Sequence, residues 1–213
     1  MDTGLPPFQR LALAYAPARS RQAWQAIFVL DSRLAGVVRS GREPMLTQIR
    51  LAWWRERLEE DSALLPEGEP LLAALDSAFG ADRPRLSSLV DGWERMTGEA
   101  PLAADALEAM AEARADAIVL VAAIGGADQP EARRLARNWA LADLAANLSH
   151  PQEREATITL ARQQDWRSTR LPRSMRPLVV LHGLVRSAVD RPDDRAPGVL
   201  ALLRAMRMGL LGI

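Results

Sequence analysis

The amino-acid sequence predicts an all-α protein, one domain over residues 1–213 built from about nine helices. Three observations carry this. Runs of β-branched residues are short, so strand signals are nearly absent. Apolar residues recur at the i, i+3, i+4, i+7 spacing of a helix face through most of the chain. Glycine and proline clusters then cut the periodic pattern into helix-length pieces: Gly41, Pro66–Gly68, Gly80 to Pro84, Gly98 to Pro101, Gly125–Gly126, Pro151 and Pro172.

The first expected helix, 18–39, has a stripe of Trp24, Ile27, Phe28, Leu34, Ala35 and Val38. Asp31 falls within that stripe, where a carboxylate is costly unless it is paired or hydrogen-bonded. The second, 44–60, contains "RLAWWRERLE" (Arg50 to Glu59), with two adjacent tryptophans among ionised side chains. On its wheel Met45, Ile49 and Trp53 make one apolar face and Leu51, Trp54 and Leu58 another, with Arg50 and Arg57 between them. Such a helix is expected to pack on two sides and to draw Arg50 inward as the partner of Asp31. The short connection at Gly41 predicts that the two helices pack antiparallel.

Shorter helices follow at 68–79 and 84–97. The helix at 102–124 bears Asp105, Glu108, Glu112 and Asp116. Glu112 and Asp116 are one turn apart and have the spacing to share a divalent cation, but all four acids lie opposite Leu107, Met110, Ile118 and Val121, and so read as a solvated face. The helix at 129–148 has a stripe of Leu135, Trp139, Ala140 and Ala146, and Asp143 interrupts it as Asp31 interrupts the first. Helices at 153–163 and 174–190 follow Pro151 and Pro172. After the loop "DRPDDRAPG" comes a last helix at 196–211, in "GVLALLRAMRMGLLGI" (Gly198 to Ile213). It is apolar and weakly basic, which suits a closing core helix or a peripheral contact with the inner membrane face.

The bulk properties exclude several classes of function. Basic and acidic residues balance at 27 each, so no global field favours nucleic acid. The basic residues are all arginine, and cysteine is absent, which removes disulfides, thiolate metal sites and cysteine nucleophiles. The two histidines, His150 and His182, are far apart in the chain and belong to no metal-binding motif. No apolar h-region follows a basic start, and no run approaches the ~20 apolar residues of a membrane span. A cytoplasmic location is expected.

Several stretches together resemble the squalene/phytoene synthase family. "LAYAPARSRQAWQAIFVLDSRLAGVVRSGREPMLTQIRLAWWRERL" (Leu13 to Leu58) is similar to its N-terminal part, with a Tyr-Ala-Pro opening, a long helix and an Arg-Leu-x-Trp-Trp-Arg helix. "LVDGWERM" (Leu89 to Met96), "WALADLAANL" (Trp139 to Leu148) and "RLPRSMRPLVVLHGLVRSA" (Arg170 to Ala188) resemble later segments. The resemblance implies an isoprenoid-synthase-like helical bundle around a deep cavity. It also implies head-to-head joining of prenyl diphosphates, with Mg²⁺ held by two aspartate-rich motifs to neutralise the leaving diphosphate.

The metal-binding motifs themselves do not match. The family's Asp-Asp-x-x-Asp falls on Ala35, Gly36 and Arg39, and its preceding arginine on Ser32. Its second motif falls near the end of "WALADLAANLSHPQE", which offers only Asn147 and Ser149. The resemblance therefore implies a divergent, non-catalytic member that binds a prenyl or other lipid or a protein partner. The family includes such a branch, which serves assembly of respiratory complex I in mitochondria. An active head-to-head prenyltransferase using Mg²⁺ and a helical protein-interaction domain are the alternatives. No catalytic residue, metal ligand or cofactor is assigned. Phe28, Asp31, Ala35, Arg39, Arg50, Trp54 and Asp143 are the candidate ligand-pocket residues.

Overall fold

Proline and glycine set the helix boundaries. The computed structural model describes residues 4–41 and 43–190, and among these there are nine α-helices and no strand. They are α1 (Pro7–Ala14), α2 (Ala18–Ser40), α3 (Pro44–Glu59), α4 (Pro70–Phe79), α5 (Ser87–Arg95), α6 (Ala104–Ile124), α7 (Gln129–Asn147), α8 (Pro151–Arg162) and α9 (Arg176–Asp190). Proline occupies the first turn of α1, α3, α4, α7 and α8, where its missing N–H costs no helix bond. Asp128 caps α7 by accepting the Glu131 N–H at 2.9 Å.

One expected element is corrected and one unexpected helix is added. The helix at 84–97 is in fact a 3-10 segment, Gly80–Leu86, followed by α5. Pro84 cannot donate to an α-helical ladder, and Gly80, at φ +50°, turns the chain before it. Helix α1 was not expected: its apolar positions cover only two turns, too few for the periodicity to register. The expected helix at 196–211 lies outside the described residues.

Helix α6 is the centre of the packing. It contacts α5, α7, α8 and α2, and 13 of its 21 residues are buried, on more than one face. Small residues permit the closest of these contacts. A Cβ on Gly92 of α5 would lie 2.5 Å from the Ala113 Cβ of α6, so the two backbones meet where glycine stands. Helix α2 packs against α4, α5 and α6, α7 against α8 and α9, and α1 against α9. Trp24 Nε1 donates to the Ser174 carbonyl at 2.9 Å and so ties α2 to the start of α9.

Helix α3 does touch α2, but its main neighbours are α5 and the 3-10 segment. It packs on one side only. Leu51, Trp54 and Leu58 are buried, whereas Met45, Ile49 and Trp53 are exposed, which corrects the two-sided expectation. Its C-terminal turn is closed by the buried Arg83, which donates to the Leu58 carbonyl at 3.1 Å and also binds the Glu60 carbonyl and Asp76.

Candidate functional site

The crossing of α2, α6 and α7 brings charge into the core. Asp31 on α2 is 4% exposed and accepts a two-pronged contact from Arg114 of α6, at 3.2 Å from Nε and 3.0 Å from Nη2. Arg114 also donates through Nη1 to Asp143 of α7 at 2.8 Å. Trp93 of α5 completes the shell of Asp31, donating Nε1–H at 2.8 Å. The guanidinium lies between two indole faces, 5.4 Å from the Trp93 centroid and 5.6 Å from that of Trp139. Arg114 is thus held by two carboxylates and two aromatic rings, and its planar fork suits both kinds of contact.

The electrostatics follow from this geometry. Desolvation pulls the Arg114 pKa down, but Asp31 and Asp143 outweigh it and leave it above the ordinary arginine value. At Asp143 desolvation dominates and raises the carboxyl above its usual range, with Arg114 opposing it and Asp31 adding to it.

The expected partnership of Asp31 with Arg50 is therefore corrected. Arg50 is exposed on α3, where it lines a surface cavity of about 120 Å³ with Ser40 and Gly41 at the end of α2 and with Leu46 and Thr47 of its own helix. Of the candidate pocket residues, the structure gathers Phe28, Asp31 and Asp143 around Arg114, and Ala35 is buried one turn further along α2. Trp54 is buried on the inner face of α3, and Arg39 is exposed in the last turn of α2. Phe28, Asp31, Arg114 and Trp139, with Ile27 and Ile118, help to line a cavity of about 10 Å³. That is about the space of one water molecule.

Arg114 is the residue the sequence reading missed, and a signal for it existed. It sits one turn after Met110 and one turn before Ile118, in the middle of the α6 apolar stripe. The acids on the other side of α6 are not simply solvated. Glu112 pairs with Arg133 at 3.3 Å and also with Arg137, while Asp116 pairs with Arg133, so they form a partly exposed ladder to α7.

The residues do not fit a Mg²⁺ cluster. Asp31 and Asp143 are both engaged by Arg114, and among the described residues no group of three acidic, histidine or cysteine side chains converges. Among the described residues, no helix is long and apolar enough to cross a membrane.

No family model matches the chain, and no curated protein or solved structure is significantly similar to it. The resemblance to squalene/phytoene synthases rests on the quoted motifs alone.

Proposed function

We propose that this chain is a non-catalytic, squalene/phytoene synthase-like protein that acts through its surface, as an assembly or interaction factor, and not through a substrate cavity. The observation that supports this reading is the position of Arg114. A prenyl diphosphate enzyme needs carboxylates open to metal ions; here the family's motif positions carry none, and the two carboxylates that do lie in the core close on a guanidinium of the protein itself. The aromatic side chains that a carbocation would need around it are already stacked against that guanidinium. The core cavity beside Arg114, the size of one water, is too small for an isoprenoid chain.

The test is incubation of the full chain with farnesyl or geranylgeranyl diphosphate and Mg²⁺, alongside native mass spectrometry of the freshly purified protein. The proposal expects no coupled product, no diphosphate release and no co-purifying lipid. Product that EDTA abolishes would establish the prenyltransferase alternative, and a bound isoprenoid would establish lipid binding.

A further inference from the structure

The outer face of α3 exposes its largest apolar side chains. Met45 is 72% exposed, Ile49 57%, Leu46 47% and Trp53 39%. They follow one another on neighbouring turns of one helix, so they form a strip. The patch amounts to roughly 400 Å² of apolar surface, the size at which exposed hydrophobes on a monomer mark a contact site. Trp54, next to Trp53, is buried, and the two rings meet edge to face at 5.1 Å, which seats Trp53 on the rim of the core.

The order of residues along the strip says what covers it. Ile49 is at its centre. Leu46 lies three residues before it and Met45 four before; Ala52 lies three after and Trp53 four after. A two-fold axis through Ile49, perpendicular to the helix, turns the strip onto itself in the antiparallel sense. Ile49 then meets Ile49 of the second copy, Leu46 meets Trp53, and Met45 meets Ala52. Every contact in this register joins two apolar groups, which is the self-complementarity an isologous interface requires.

We propose that α3 is a dimerisation helix and that a second copy of this chain covers the strip through an antiparallel α3–α3 contact. The two strips together offer roughly 800 Å² of apolar surface, below the range of stable specific interfaces, so the dimer is weak and concentration-dependent. Arg50 and Gln48 flank the contact and stay solvated, as is usual at an interface rim. The proposal does not depend on the absence of catalysis.

Sedimentation velocity of the full chain over a hundredfold concentration range tests it. The mass should rise from 23.4 kDa toward twice that value, with little dependence on salt because the contact is apolar. Ile49→Glu sets two carboxylates against each other on the axis, and it should hold the protein monomeric at every concentration with unchanged circular dichroism. The native chain has no cysteine, so Ile49→Cys should form a disulfide-linked dimer under mild oxidation. Glu155→Cys, at an exposed site on α8, should not. A wild type that stays monomeric throughout would overturn the proposal, as would an Ile49→Glu variant that dimerises like wild type. Monomer that floats with anionic vesicles, and loses that binding in Ile49→Glu, would assign the strip to a lipid surface instead.

Discussion

The α2–α6–α7 crossing and the outer face of α3 invert each other's chemistry. At the crossing, an arginine and two aspartates sit among tryptophans in the core. On α3, methionine, leucine, isoleucine and tryptophan side chains face outward. A buried charge persists only where its partners are built around it, and an exposed apolar strip persists where something else covers it. The first region is complete within one chain, whereas the second is not. They should therefore respond differently to substitution, the core through stability and the strip through association.

Arg114→Met should give the largest loss. It leaves Asp31 buried with only the Trp93 N–H for company, and should cost ~3–5 kcal/mol of unfolding free energy, read from urea denaturation. A loss under ~1 kcal/mol, the scale of an exposed pair, would mean that the crossing is more solvated than its geometry indicates.

The buried His182 tests the core by pH. It stacks on Trp166 at 5.1 Å, and burial first, then the nearby Arg134 and Arg186, lower its pKa from 6.5 to about 4. The folded state keeps the ring neutral while the unfolded chain takes up a proton. Stability from this source is complete above pH 6.5 and is lost as pH falls toward about 4, with a total on the order of 3 kcal/mol. His182→Gln should flatten the stability profile in that window, as measured by thermal unfolding from pH 7 to 4. Asp143 runs the other way. Its folded pKa is raised, so its contribution favours folding as pH falls through the raised value toward the ordinary carboxyl range, and it offsets part of the histidine effect.

The ladder between α6 and α7 and the α3 strip should matter least to folding. Glu112→Gln removes pairs whose carboxylate is 42% exposed, and about 0–1 kcal/mol is expected. Met45→Ser, on the open strip, should leave monomer stability within about 0.5 kcal/mol. A larger loss for Met45→Ser than for Glu112→Gln would show that the strip is packed within the chain, and the contrast between the two regions would fail.

The sequence reading reached the helical class, the position of most helices, and the principle that core-face aspartates must meet arginine. It named the wrong arginine. Asp31 and Asp143 stood out because each interrupts an apolar stripe, and Arg114 interrupts the α6 stripe in the same way. The four acids dominate the pattern of α6, and the cation between Met110 and Ile118 shows only as a single break in its apolar stripe. Arg50 lies on the neighbouring helix in sequence and between two apolar faces, which points to it as the partner of Asp31, but one of those faces is exposed and α2 reaches α6 through a contact far along the chain. Periodicity finds apolar faces without telling which of them finds a neighbour, so the face with Met45 and Ile49 read the same as the one with Leu51 and Leu58. The break at Pro84 was legible, yet the apolar residues after it extended the pattern backward across a 3-10 segment.

A double-mutant cycle between Asp31 and Arg114, followed by urea denaturation, tests the central claim most directly. The account predicts that Asp31→Leu and Arg114→Met each lose several kcal/mol, and that the double variant loses far less than their sum, with a coupling of about 3 kcal/mol. Losses that add to within about 0.5 kcal/mol would mean that the two side chains do not depend on each other, and would contradict it.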